Sequence, residues 1–474
     1  MLFFTQAINL AEAEFSPFAL PDAPHGTDNG CTSSFGRSSS LFFNEKNARP
    51  FSGASDGTTP KCYKSTTCFF AGRSTTMKKS LTALAVIGAF VGSAMAADVQ
   101  LYGIVDTGLG YSHLDYDGFA DDEDSFEMKS GQASGSRFGF KGTEELGNGL
   151  TVGFILENGI DSDTGADTTN FFNREASLFV QGSFGKVGMG RIGSFNNGQS
   201  SWAKMGVMSA FGTSSWGGFS AQLGNLMSTA GQWDNMIAYE TPSYAGFKVF
   251  AQYGMGNAIT DNKSAENESS SDRYYALGVS YANGPLNLYA AVDSINYATF
   301  GPKIVVPDFI DDSLTVTLGG NYNFEVVKVF FGAQYFDSVK LSSIGGIVDD
   351  AIGDAALIDQ DFTVGDIAIK GYGISLSASA PLANGTAMFG MGYVDAEATS
   401  DMEDLFATYG AGGAEVDLKR YVVSVGYDYP FSKRTDVYAV GSYMQDKLDL
   451  SDTAGTLGWD PSAYTLYVGL RHRF

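Results

Sequence analysis

The chain has 474 residues and a net charge of −24, from 29 Lys and Arg against 53 Asp and Glu. That acid excess excludes nucleic-acid phosphates as a partner. Glycine is abundant at 59 residues, aromatics make up 14%, charged residues only 17%, and mean hydropathy is −0.05. Such a composition suits many strands with two unlike faces, and a secreted all-β protein fits it too.

Residues 1–76 show Ser, Thr, Pro and Gly clusters with no sustained period. Met77-Lys78-Lys79 is then a short basic start, Leu81 to Val91 is apolar, and Ala94-Met95-Ala96 has a small-x-small pattern. These are the three regions of a secretory signal peptide, and the apolar part is too short for a permanent span. The expected organisation is an unstructured upstream extension over 1–76, a signal peptide over 77–96, and a mature domain over 97–474. A long propeptide is the competing account of residues 1–76. All three cysteines (Cys31, Cys62, Cys68) precede Met77. The mature part therefore has no disulfide, thiol nucleophile or cysteine metal site, and no cofactor is expected. It keeps 21 of the 29 basic and 47 of the 53 acidic residues.

The first expected strand is Asp98–His113. Val99, Leu101, Gly103, Val105, Thr107, Leu109 and Tyr111 share one face, while Gln100, Tyr102, Ile104, Asp106, Gly108 and Gly110 share the other. An acidic loop from Asp115 to Asp124 follows. The chain then repeats strand, short turn, strand, long loop. Gln132–Gly142 precedes Leu150–Gly159, and Phe171–Gly182 precedes Val187–Arg191. After a long segment from Ile192 to Gln232 come Trp233–Thr241 and Phe247–Gly254, then Ser271–Tyr281 and Leu286–Ile295. Leu314–Asn323 and Val326–Phe336, Ile367–Ala380 and Thr386–Ala396, and Leu418–Tyr429 and Thr435–Gln445 complete the hairpins. The final strand, Tyr464–Phe474, alternates strictly: Tyr464, Leu466, Val468, Leu470, His472 and Phe474 oppose Thr465, Tyr467, Gly469, Arg471 and Arg473.

The strands number sixteen by this alternation, an even count. Turns are short on one side, whereas the other side carries long acidic loops such as Asp337–Asp366 and Asp395–Asp417. That asymmetry predicts an all-β fold, a 16-stranded antiparallel transmembrane β-barrel, with the last strand pairing with the first so that no edge stays open. Apolar faces should meet lipid, with tyrosines near the turns forming an aromatic girdle. Phe171–Gly182 fits least well, because Glu175 falls opposite Arg174.

Six stretches in order resemble the general trimeric porins of Gram-negative bacteria, in particular the betaproteobacterial type. They are VQLYGIVDTGLGY after the signal, SRFGFKGTEELGNGL at Ser136–Leu150, FNREASLFVQGSFGKVGMGR at Phe172–Arg191, WDNMIAYETPSYAGFKV at Trp233–Val249, YPFSKRTDVYAVGSY at Tyr429–Tyr443, and the terminal Phe474. The resemblance implies a homotrimer in the outer membrane, in contact with lipid and lipopolysaccharide. It implies a water-filled pore for passive diffusion of small hydrophilic solutes and ions. It also implies that Phe474 and its strand are read by the barrel assembly machinery.

The resemblance implies further that the segment 192–232 is a long inward-folded third loop that narrows the pore, with Trp202, Lys204 and Trp216 on it. Loops of that length in compact folds are usually functional or disordered. A basic wall would face it: Arg137 and Arg174 by motif, with Lys141 on the face of Arg137 and Arg191 at the strand entering the loop. The segment holds no Asp or Glu and only one charge, Lys204. Asp106 and Glu157, both on inward faces, are alternative candidates for the acidic counterpart. Two patterns pull selectivity in opposite directions: a basic constriction favours anions, while acidic outer loops enrich cations at the mouth. Arg471 and Arg473 are expected near the periplasmic exit, apart from the constriction.

Catalysis needs a base beside a nucleophile. The mature part has only His113, at a loop edge, and His472, on the apolar face, and no GxSxG elbow. No enzyme is expected. A substrate-specific channel and an adhesive barrel compete with the general diffusion pore as functions for this fold.

Overall fold

The computed structural model describes residues 99–118, 121–166, 170–256, 266–267, 271–298, 311–348, 356–359, 362–408, 415–452 and 455–474. The expected upstream extension and signal peptide lie outside these residues. The strands are β1 (Gln100–Asp115), β2 (Glu123–Ser130), β3 (Arg137–Gly147), β4 (Leu150–Gly159), β5 (Glu175–Gly182), β6 (Gly185–Gly193), β7 (Gln232–Glu240), β8 (Phe247–Gly254), β9 (Arg273–Asn283) and β10 (Leu286–Asn296). They continue with β11 (Leu314–Asn323), β12 (Lys328–Lys340), β13 (Ala356–Asp359), β14 (Phe362–Thr363), β15 (Ala368–Leu382), β16 (Gly385–Ala398), β17 (Glu415–Pro430), β18 (Thr435–Asp452), β19 (Gly455–Trp459) and β20 (Ser462–Arg473).

Apart from the small β13–β14 hairpin, all pair antiparallel in one sheet. β2 and β3 pair with the two halves of β1, from Thr107↔Ser130 to Leu114↔Glu123 and from Gln100↔Lys141 to Ile104↔Arg137, so together they make one interrupted strand. β19 and β20 share β18 in the same way. The sheet is thus a closed ring of 16 strands. It closes between β20 and β1, from Ile104↔Arg473 to Asp115↔Ser462. No helix among the described residues is long and apolar enough to cross a membrane.

Alternation sorts the two faces. Leu101, Leu109, Leu277, Leu318, Leu376, Val425, Leu466 and Leu470 are exposed large hydrophobics on the outer surface. In a bilayer that surface meets acyl chains. Aromatic pairs, exposed or half-buried, ring both ends. Phe247–Tyr281, Tyr322–Phe324 and Tyr429–Phe431 lie by the short turns, and Tyr111–Tyr464, Tyr253–Tyr275 and Tyr393–Tyr421 by the long loops. Sequence reasoning anticipated one girdle, at the turns.

Two strand assignments are corrected. The second strand does not start at Gln132, and Glu123 and Asp124 are not loop. The strand starts at Glu123, breaks at Gly131 (φ 68°) and resumes at Arg137. Its first half, EDSFEMKS, is too polar to read as alternating, although Phe126 and Met128 do point outward. The fourth strand starts at Glu175, not Phe171. Arg174 therefore precedes the regular alternation, which removes the apparent conflict between its facing and that of Glu175.

Candidate pore constriction

Arg137 opens β3, Glu157 lies near the end of β4, and Arg174 immediately precedes β5. The register Gly139↔Glu157↔Glu175 brings them side by side. Glu157 is shared. Arg174 Nε donates to its Oε1 at 2.7 Å, Arg137 Nε lies 3.6 Å from Oε2, and the Tyr102 hydroxyl donates to Oε2 at 2.9 Å. One carboxylate thus offsets two guanidiniums. Lys141 adds a further charge, its Nζ 5.0 Å from the Tyr102 ring centroid. Arg191 stands apart, paired with Asp234 at 2.6 Å and donating to the Asn173 carbonyl at 2.6 Å.

Asp106 has a different task. Its Oδ1 accepts from the Tyr438 hydroxyl at 2.6 Å, and Oδ2 accepts from the backbone N–H groups of Ala133 and Ser134 at 3.0 and 2.8 Å. It is fully buried and ties down the break between β2 and β3. Arg471 and Arg473 are not remote from the expected wall. Ile104 pairs with Arg137 on one side and Arg473 on the other, and Asp106 pairs with Arg471. Both arginines are neutralised by Asp436, and Arg471 also by Asp428 at 3.0 Å.

The segment between β6 and β7 is packed rather than loose. Phe195, Met205, Met208, Leu223, Leu226 and Met227 have no exposed surface. It is tied to β5 at Glu175, whose carboxylate accepts from the Ser201 N–H and hydroxyl at 2.9 Å each. It also touches the buried faces of several other strands. Asn196 donates to Asp293, the Ala210 N–H to Ser377 and the Ala221 N–H to Ser424. At its far point the Trp216 N–H donates to the Gln132 carbonyl, and the Trp216 ring meets Tyr438 edge-on at 5.4 Å. Trp202 is buried under the Lys186 ammonium, 4.2 Å from its ring. Lys204 pairs with Glu240 at 2.9 Å. Close approach requires glycine on the wall: a Cβ at Gly373 would strike the Leu226 carbonyl, and one at Gly392 its side chain.

The family model for Gram-negative porins matches residues 81–449. The chain belongs to that porin family. An outer membrane porin of Bordetella pertussis is 34% identical over 438 residues, covering 84% of this chain and all of that one. Outer membrane porin protein 32 of Delftia acidovorans is 30% identical over 416 residues with the same coverage. Among solved structures, the anion-selective porin from Comamonas acidovorans aligns over 80% of this chain and all of its own, with a TM-score of 0.56 and 26% identity. The porin is therefore a β-barrel of the bacterial outer membrane, and family and fold point to a channel rather than an enzyme.

Several residues of the porin's inner face escaped sequence reasoning. Tyr102 was placed on the inner face by alternation, but its bond to Glu157 spans 55 positions and leaves no local trace. Asp234, Gln199 and Glu240 are partners of wall or loop residues for the same reason. Gln199 accepts from both Arg174 and Gln232, at 3.2 and 2.8 Å, linking the loop to the wall. The glycines and serines on the inner face of Ile367–Ala380 were the available signal. Small residues facing inward in series leave room for a second layer.

Proposed function

We propose that this porin forms a water-filled pore for passive diffusion of small hydrophilic solutes and ions. In this reading the segment 192–232 lies within the barrel and narrows it against a basic wall of Arg137, Lys141, Arg174 and Arg191. The observation that carries it is the trail of contacts from Glu175 along buried strand faces to Gln132 and Tyr438. That trail leaves the sector of β1, β3 and β4, which carries Arg137, Lys141 and Glu157, as the open side, with Arg174 at its border where Gln199 touches it. The wall's four cations face Glu157 and Asp234 as acidic partners, and the segment supplies none. The excess is positive, so small anions are favoured in the narrow zone. The anion-selective Comamonas porin agrees in kind. The assembly is a homotrimer embedded in lipid and lipopolysaccharide, and Phe474 and its strand engage the barrel assembly machinery.

Planar-bilayer recordings test this. Stable conductance in triplets of equal steps is expected, with a reversal potential on the anion side in a salt gradient. Arg137→Glu with Arg174→Glu moves that potential toward cations, and Glu157→Gln moves it further toward anions. A protein that inserts but does not conduct would sink the reading. Unmoved potentials would remove these residues from the ion path.

A further inference from the structure

The connection leaving β12 contains an apolar stretch, Leu341 to Val348, between acidic residues. Leu341, Ile344, Ile347 and Val348 are buried rather than facing water. They belong to the same apolar cluster as Leu223, Leu226 and Met227 of the 194–231 segment. Polar contacts fix the two pieces together. The Gly345 N–H donates to the Gly224 carbonyl at 3.1 Å, the Thr229 N–H to the Ser343 carbonyl at 3.3 Å, and the Ser228 and Ser343 hydroxyls are 2.8 Å apart.

A single ion pair pins both pieces to the wall. Arg420 and Asp446 are fully buried and bidentate, with Nε to Oδ1 at 2.7 Å and Nη2 to Oδ2 at 2.9 Å. The remaining Nη1 donates to the carbonyls of Asn225, at 2.9 Å, and Gly345. Asp446 Oδ2 also accepts from the Val348 N–H at 3.3 Å. A buried pair is tolerated only when its remaining donors and acceptors are satisfied, and here both loops satisfy them. Gly346 (φ 124°) lies against the guanidinium, where any side chain would collide. Beside this junction is a cavity of about 380 Å³. Gly345 and Gly346 with Gly217 and Gly218 form one side, and Glu127 and Lys129 of β2 the other.

We propose that residues 341–348 are a second pore-narrowing element, stacked on the 194–231 segment at the outer mouth, which limits solutes by size before they reach the basic wall. The cavity is the entry vestibule that remains beside it. This rests on the diffusion-pore reading above.

The mature region has no cysteine, so an introduced pair reports cleanly. In bilayer-inserted, full-length mature protein, Ser228→Cys with Ser343→Cys should form a disulfide on oxidation. Conductance should be equal in the oxidised and reduced forms, because the segment already occupies the mouth. Failure to cross-link, or a conductance that rises on reduction, would overturn the proposal. Replacing 342–347 by a short Gly-Ser linker should raise conductance at least about 1.5-fold and admit larger polyethylene glycols from the outer side. A linker variant that assembles with parental conductance and exclusion size would also overturn it. If that variant does not assemble, the cysteine pair still decides. Absence of any conductance in the parent is a separate outcome, and it counts against the pore reading itself.

Discussion

Asp106 and Glu157 both face inward, and alternation predicted as much. Their tasks differ because alternation gives a side chain's direction and not its partners. Glu157 is set between two arginines, while both Asp106 oxygens are occupied by Tyr438 and by the backbone of the β2–β3 break. Tyr438 lies 332 positions from Asp106, so no local pattern could have announced the contact. Tyr438→Phe leaves the buried carboxylate one donor short. The expected loss is about 1–3 kcal/mol of barrel stability, read as a lower denaturant midpoint, with the β-sheet signal in circular dichroism retained. An unchanged midpoint would mean that the bond contributes nothing net. Arg137 and Arg174, by contrast, were singled out by the motifs that contain them, and the structure brings both to Glu157.

At the scale of elements, strands with strongly apolar outer faces were read to within a few residues. β11 runs over the expected span, and β10 exceeds its expected end by one residue. Errors fell where outward residues are diluted by charge, as in β2, or where a loop residue adopts strand-like direction, as at Arg174. The apolar run from Leu341 to Val348 went unremarked because it lies inside an acidic loop, and its burial depends on a second loop far away in the chain. Next to it, Asp366 accepts from Lys340 Nζ at 2.8 Å and from the Thr363 N–H and hydroxyl at 3.1 and 3.0 Å. Partial burial acts to raise its pKa, but these donors outweigh it and hold the carboxyl below the ordinary 3.8. A depressed carboxyl pKa contributes stability that is present above the unfolded value and lost as pH falls through the folded one. Hydrogen exchange of residues 362–369 should therefore stay slow at pH 6 and, after correction for intrinsic rates, lose protection as the pH falls below the ordinary carboxylate range. Equal protection on both sides of that range would show that Asp366 does not hold this corner.

For the whole molecule, the count of strands and the asymmetry of turns and loops were legible because lipid imposes period-two alternation on every crossing. The path of the 194–231 segment was not, since it has no period and its contacts reach strands more than 200 positions away. The expected targeting signal makes a prediction at this scale. Mass spectrometry of the outer-membrane form should find Ala97 at the amino terminus. A longer amino-terminal sequence would favour the propeptide account.

The seam between β1 and β20 joins the two ends of the barrel, Ile104 to Arg473. Contacts so distant in the chain close slowly, since the loop must form before any bond rewards it. Until Ser462–Arg473 arrives, β1 and β18 both present unpaired edges. A chain interrupted before that point cannot hide them. Closure therefore works as an inspection of length: only a polypeptide carrying its last strand can become inert toward other edges.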